Sequence, residues 1–469
     1  MMKTKIVSFL IVCAILDHAS AQGVADPLTI HGLDQFEIIG ARARALGGVS
    51  TGILSDMASM FSNPAGLRSV QKAEVRLGGW ASRYRITQKQ EWIPNRIYGE
   101  FSLLMENRQT FLVPSVDNIN PNWKRKTTVA RPSLAMGAVP LEFMGRQIVV
   151  AIGGAEIVNL DHFYRNNNAL DPNIGQLRPA PIPRVTGTDS ILVRWFQHVR
   201  QRDGSIYSVT PALSAMLTDD LSIGVSMSVL TGSSDDSESR TDRGLFTMRR
   251  DNDFSLSPLQ YTMETSGTSS YKGSFFTVGL LYISKTFGVG FSARTPFTLD
   301  QGREYETRTD SSGLLSSSTM SETVKIKFPW LYTAGVSLYP AERWRIGVDY
   351  DIRELGLVEV TGENGNTQKP WLTSRMFRVG VEYQAMDVLW IRTGYRQVAN
   401  GFGEEGAGLQ FEPVEGSAYS IGAGLDLGFI RLDGFYEDSN TEFIDRWLSN
   451  SNFNRVSYYT FGLEVSAKL

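Results

Sequence analysis

Leu221-Ser222-Ile223-Gly224-Val225-Ser226-Met227-Ser228-Val229 alternates without a break. The odd positions are large and apolar; the even ones are serine or glycine. A period of two is the pleat of a β-strand, so this stretch reads as a strand with one apolar face and one small, polar face. The pattern returns along the chain. Trp344, Ile346, Val348 and Tyr350 oppose Arg345, Gly347, Asp349 and Asp351. Phe377, Val379, Val381 and Tyr383 oppose Arg378, Gly380 and Glu382, and Tyr419, Ile421, Ala423, Leu425 and Leu427 oppose Ser420, Gly422, Gly424 and Asp426. The last segment places Tyr459, Phe461, Leu463, Val465, Ala467 and Leu469 on one side.

Such strands suit a sandwich, whose apolar faces meet in a dry core, or a membrane barrel, whose apolar faces meet lipid. Three features select the barrel. The first is loop asymmetry. Strands are expected near 73–86, 128–141, 146–158, 205–217, 220–231, 273–284, 286–297, 330–340, 343–353, 375–385, 387–398, 417–427, 429–438 and 456–469. Six of their connections are tight (Glu142–Gly145, Thr218–Asp219, Lys285, Ala341–Glu342, Met386 and Gly428) and alternate with long polar ones such as 87–127, 159–204 and 232–272. Short periplasmic turns alternating with long extracellular loops characterise outer-membrane barrels. The second is two bands of aromatics. Tyr282, Phe287, Tyr339, Trp344, Tyr383, Trp390 and Phe429 lie near the tight turns; Tyr332, Tyr350, Tyr395, Tyr419, Tyr436 and Tyr459 lie toward the long loops. Interfacial girdles have this form. The third is charge on the face opposite the apolar one: Arg345, Asp349, Arg378, Glu382, Arg392, Asp426, Arg431 and Asp433. A dry sandwich core would penalise those groups heavily. Pro132, Pro211 and Pro329 are placed at the rim, where a bulge or strand start tolerates the missing N–H. The expected fold is all-β: a transmembrane, 14-stranded antiparallel barrel over 73–469, in the outer membrane of a Gram-negative-type bacterium, with both ends periplasmic.

The chain's start agrees. Lys3 and Lys5, the apolar run Ile6–Leu16 and Ala19-Ser20-Ala21 read as a signal peptide, residues 1–21, cleaved before Gln22. The single cysteine, Cys13, falls inside it with Val12 before it, so the mature chain has no disulfide and no thiolate metal site. Formal charge is near balance, at −3 for the whole chain, which gives no footprint for nucleic acid. His31, His162 and His198 lack metal-ligand spacing, and no cofactor is expected. Lipid, lipopolysaccharide and hydrophobic small molecules are the expected partners, with Trp390 and Phe435 as candidates for an apolar lumen pocket. The acidic run Ser233–Glu238 reads as a solvated loop.

Residues 22–72 do not alternate. Gly40-Ala-Arg-Ala-Arg-Ala-Leu-Gly47-Gly48 is rich in small residues, Asp56–Phe61 suits a short helix, and Asn63-Pro64-Ala65-Gly66-Leu67 is a turn. Fifty compact residues ahead of a barrel suggest an inserted plug, or hatch. These motifs resemble the N-terminal signature of the FadL-like outer-membrane proteins, the long-chain fatty acid transporter family. The resemblance covers the whole mature chain and implies a hatch ending in the Asn63–Leu67 motif, then a fourteen-strand barrel. It also implies passive uptake of hydrophobic compounds such as long-chain fatty acids, through a plugged lumen with a kink in the third strand as lateral exit. Gly153-Gly154 is the pair expected to form that kink. Barrels of this type include relatives similar to the PorV component of type IX secretion, so a role toward exported proteins is the alternative.

Two motifs fail their context. Gly48-Val-Ser50-Thr-Gly52 matches a nucleophile elbow, but no strand precedes it. Gly401, Gly403 and Gly406 match a dinucleotide loop, but they fall between antiparallel strands with no βαβ unit. No enzymatic activity is expected.

Overall fold

A computed structural model describes residues 30–469, apart from 54, 93–121, 172–190, 249–253, 404–412 and 448–449. Among these, fourteen antiparallel strands close one barrel. They are β1 (Glu74–Trp92), β2 (Trp123–Phe143), β3 (Arg146–Asn159), β4 (Ile191–Met216), β5 (Leu221–Met248), β6 (Tyr261–Ile283) and β7 (Phe287–Arg294). They continue with β8 (Leu331–Ala341), β9 (Trp344–Arg353), β10 (Ser374–Met386), β11 (Leu389–Gly403), β12 (Pro413–Asp426), β13 (Ile430–Trp447) and β14 (Asn450–Lys468). Each pairs with its sequence neighbour, and β1 closes on β14 from Glu74 opposite Lys468 to Trp92 opposite Asn450. Every strand expected from alternation is present. The signal peptide and Gly406 lie outside the described residues.

The outward faces are apolar all the way round. Leu77, Leu141, Ile152, Leu213, Val229, Leu280, Val289, Val336, Ile391, Ile421 and Leu463 are all exposed, Ile421 and Leu77 at 60% and 66%. A continuous apolar belt of this extent belongs against lipid rather than water. Aromatic rings border it. At the tight-turn end Tyr282 meets Phe287 at 5.7 Å and Trp344 meets Tyr383 at 4.5 Å; at the other end Trp330, Tyr332 and Phe291 stack, and Tyr395 meets Tyr419 at 5.2 Å.

The strands continue beyond the belt where loops were expected. Ser233–Glu238 is not a loop but the continuation of β5, and Asp236 is buried there against Arg202 at 2.7 Å. A further hairpin, Phe297–Ser311 and Leu314–Phe328, adds to β6. Beyond the apolar belt the outward face meets water, so no apolar alternation marks these segments. The prolines sit at irregularities. The β1–β2 register slips between Gly78 and Gly79, next to Pro132, and the β4–β5 ladder skips Thr210 and Pro211. Pro329 lies just outside a strand.

Candidate functional site

The lumen is crossed by residues 30–72. Helix α1 (Ala41–Ala45) starts after Gly40 and ends at Gly47 and Gly48, three glycines with φ of 99°, 66° and 94° that other residues rarely adopt. Asp56 caps a 3-10 helix, Met57–Phe61, by accepting from Ala58 N at 3.0 Å. Asn63 caps the next, Pro64–Ser69, and donates to Thr51 O at 2.9 Å and to Leu280 O of β6 at 3.1 Å. Ser222 donates to Ala65 O, Gly66 packs on Ser59, and Leu67 is fully buried.

Two devices hold this segment against the wall. One is glycine. Gly224 faces Gly279 across β5–β6, Gly290 faces Gly335 across β7–β8, and Gly380 pairs with both Gly347 and Gly394. Side chains built there would overlap Pro64, Asn63, Thr51, Gly52, Val49, Leu46 and Gly47. The belt of small lumen residues is therefore a seat for backbone. The other device is charge. Arg42 donates two 2.8 Å bonds to Glu382, which also accepts from Arg392 at 2.7 Å and Arg345 at 3.1 Å. Arg392 bridges on to Asp433 at 2.7 Å. Asp349 accepts from the Ser50 and Thr51 amides at 2.8 and 2.9 Å. Burial alone would raise the Asp56 carboxyl, but Arg76 at 2.8 Å and Arg42 hold it well below the usual range.

Above the segment lies a cavity of about 250 Å³. Its walls are residues 30–32 and 34–38 with Trp80, Tyr84, Ile86, Phe163, Trp371, Met376, Phe402, Phe443 and Tyr458, together with a set of polar groups. Beside it the wall changes character. The β2–β3 ladder runs only from Phe143–Arg146 to Leu134–Ala155. Beyond it, among the described residues, the backbone of Trp123–Pro132 of β2 pairs with β1 alone. Across this seam stand the end of β3 and the strand His162–Asp171, which pairs with β4. Among the described residues, side chains close it. Arg131 reaches Glu156 at 3.0 Å, Ser205 at 2.7 Å and Asp161 at 2.7 Å; the Arg125 guanidinium lies 3.9 Å from the Phe163 ring centroid; Trp123 donates to Arg165 O at 3.1 Å. Asn159, Asp161, His162 and Phe163 line the cavity on one side, and Arg131 lines an open groove with Thr231, Ser233 and Asp235 on the other.

No family model and no curated protein matches the sequence. Solved structures do match the fold. A Pseudomonas aeruginosa FadL homologue superposes with a TM-score of 0.59 at 14% identity, over 91% of this chain and 97% of its own. The barrel has the FadL-type fold. The Pseudomonas putida toluene transporter TodX gives a TM-score of 0.55 at 13% identity, over 93% of this chain and 99% of its own. The monoaromatic hydrocarbon channel CymD gives 0.54 at 12%, over 94% and 99%.

In this FadL-type barrel the expected site residues fall in three places. The motif residues Gly40, Gly47, Gly48, Asp56 and Asn63–Leu67 all lie in the lumen-crossing segment. Gly153 and Gly154 do not interrupt β3: Gly153 stays opposite Met136 and Thr210, and Gly154 opposite Ala135 and Val209. The irregularity comes at Ile157, where the register slips and the Ile157 carbonyl accepts from Glu37 N at 2.8 Å. Trp390 and Phe435 do not line the cavity. Phe435 is buried on Ala41 and Ala45, and Trp390 sits near the tight-turn end with the Arg345 guanidinium 4.6 Å from its centroid. Ser50 is buried, and its amide donates to Asp349 at 2.8 Å. Arg131, Glu156, Tyr84, Trp371 and Tyr458 were not singled out by sequence; the register of the strands brings the first three and Tyr458 together, and Trp371 joins them from the connection before β10.

His162 stands beyond the end of β3, with Nε2 buried and without a hydrogen-bond partner among the described residues. Burial, with Arg202 and Arg200 nearby, outweighs Asp236 and lowers its pKa from 6.5 to about 3. The unfolded chain thus takes up a proton that the folded one refuses, so stability falls as pH drops from 6.5 toward 3. His162→Phe is expected to flatten this part of the acid dependence of thermal unfolding. An unchanged slope would place the acid sensitivity elsewhere.

Proposed function

We propose that the chain is an outer-membrane channel for passive uptake of hydrophobic compounds, with residues 30–72 as its hatch and the β2–β3 seam as its lateral exit. The observation that carries this reading is an aromatic-lined cavity beside a stretch of wall that backbone hydrogen bonds do not close. A solute leaving there enters lipid rather than the periplasm, which suits a molecule that water disfavours. The hydrophobic compounds named for the structural neighbours agree with a ligand of this kind. In this orientation the tight turns face the periplasm. Arg83, Lys124 and Lys126, exposed on β1 and β2 beyond the belt, then lie at the depth of lipopolysaccharide phosphates.

The test is uptake of a labelled hydrophobic probe by cells that depend on this channel for it. Saturable, protein-dependent accumulation is expected. No uptake, with exported proteins co-purifying, would favour the secretion role. Arg131→Ala separates the exit routes. It should raise uptake of the probe several-fold while sugar-driven swelling of proteoliposomes stays unchanged. A parallel rise in sugar permeation would indicate a straight path through the lumen.

A further inference from the structure

We propose that the cavity takes a compact, neutral aromatic molecule carrying one hydrogen-bonding group, of the phenol class, and discriminates against carboxylates. This rests on the uptake reading and narrows its ligand. Three observations carry it.

The first is charge. Among the described residues two arginines line the cavity, and both are engaged. Both terminal nitrogens of Arg396 bond to Glu437, and Arg44 bonds to Glu37 and to Ile38 O at 2.9 Å. Asp34, Glu37, Asp161 and Glu437 share the lining, which contains no lysine among the described residues. A carboxylate entering here would lose its hydration without gaining a free counter-charge, in a field of its own sign. A fatty acid headgroup is poorly served by such a site.

The second is shape and surface. Trp80, Tyr84, Trp371, Phe402, Phe443 and Tyr458 present rings to a volume of about 250 Å³. A cavity of roughly 150 Å³ holds benzene, and sites for drug-sized ligands begin near about 300 Å³. The space thus suits one or two rings.

The third is a pair of hydroxyls. The Tyr84 and Tyr458 rings lie 4.9 Å apart, and neither hydroxyl makes a hydrogen bond among the described residues. Tyrosine hydroxyls in such surroundings usually find a partner. A hydrocarbon leaves both unanswered, whereas a phenol can donate to one and accept from the other. Sites built to bond a hydroxyl reject the analogue that lacks it.

Titration calorimetry of the folded barrel in detergent at pH 7.5, with p-cresol, toluene and p-toluate, tests this. The three share a ring and a methyl group. We expect p-cresol to bind about three- to tenfold more tightly than toluene, from one net hydrogen bond, and p-toluate to bind at least about tenfold more weakly than p-cresol. Tyr84→Phe with Tyr458→Phe should bring p-cresol to the level of toluene and leave toluene unchanged. Equal or tighter binding of p-toluate, or an unaltered p-cresol affinity in the double variant, overturns the assignment and leaves the uptake reading standing. Saturable binding by none of the three removes the cavity from both.

Discussion

Glu382→Leu is expected to destabilise the folded barrel by about 3–5 kcal/mol, the usual consequence of removing one side of a buried ion cluster. Glu382 is 1% exposed and accepts from three arginines, Arg42, Arg345 and Arg392, of which Arg42 comes from the lumen-crossing segment. Without it those three guanidiniums face one another, with Asp433 reached through Arg392 and Asp56 near Arg42 as the remaining carboxylates that act on them. Leucine is of similar volume and suits a strand, so the loss would be electrostatic rather than a packing void. Urea unfolding of the barrel in lipid vesicles, followed by tryptophan fluorescence, measures it. The double change Arg42→Met, Glu382→Leu should be less damaging than Glu382→Leu alone, since it removes one stranded cation. A loss below about 1 kcal/mol would mean that water reaches the cluster and screens it, as at an exposed pair.

That cluster was half legible in the sequence. Arg345, Glu382, Arg392 and Asp433 stand out because charge on the non-lipid face of an alternating strand demands an explanation. Their partner Arg42 does not, because nothing local links a small-residue helix to a strand some 340 positions away. The barrel itself was legible because lipid imposes one rule on every strand: an apolar residue at each outward position within the bilayer. Where that constraint ends, so does the signal. Ser233–Glu238 and the hairpin around Leu314 are strands whose outward residues meet water, and their serines and acids look like loop. The seam was hidden for a related reason. Gly153-Gly154 drew attention as the flexible pair, yet its ladder is continuous, and the wall opens above Ala155 because, among the described residues, β2 pairs there with β1 and no longer with β3. Pairing is a property of two strands, and neither sequence alone records it.

Gly394→Val is expected to dislodge the lumen-crossing segment while leaving the barrel closed. Gly394 sits in β11 opposite Gly380 and Ser420, and any Cβ there overlaps the backbone of Leu46 and Gly47. Neither side can yield locally, because both are main chain: Gly47 N donates to Ser420 at 3.1 Å and Ser420 in turn bonds Ala45 O at 3.2 Å. Valine has a higher strand propensity than glycine, so the β10–β12 ladder should gain from the change. The barrel and the inner segment therefore respond in opposite directions, which makes the variant informative. Overpacking costs about 1–3 kcal/mol, and about 1.4 kcal/mol is a tenfold shift, so the docking equilibrium constant should fall by about five- to 150-fold. The resistance of the folded barrel to heat in sodium dodecyl sulfate should persist. Protease cleavage within 40–67 and permeation of small sugars through reconstituted channels should both rise steeply. If sugars remain excluded while the segment becomes protease-sensitive, the permeability barrier lies higher, among the side chains that wall the cavity. If neither changes, β11 has bowed outward to admit the methyl groups, and the glycine belt is a convenience of packing rather than the seat that holds the segment in the lumen.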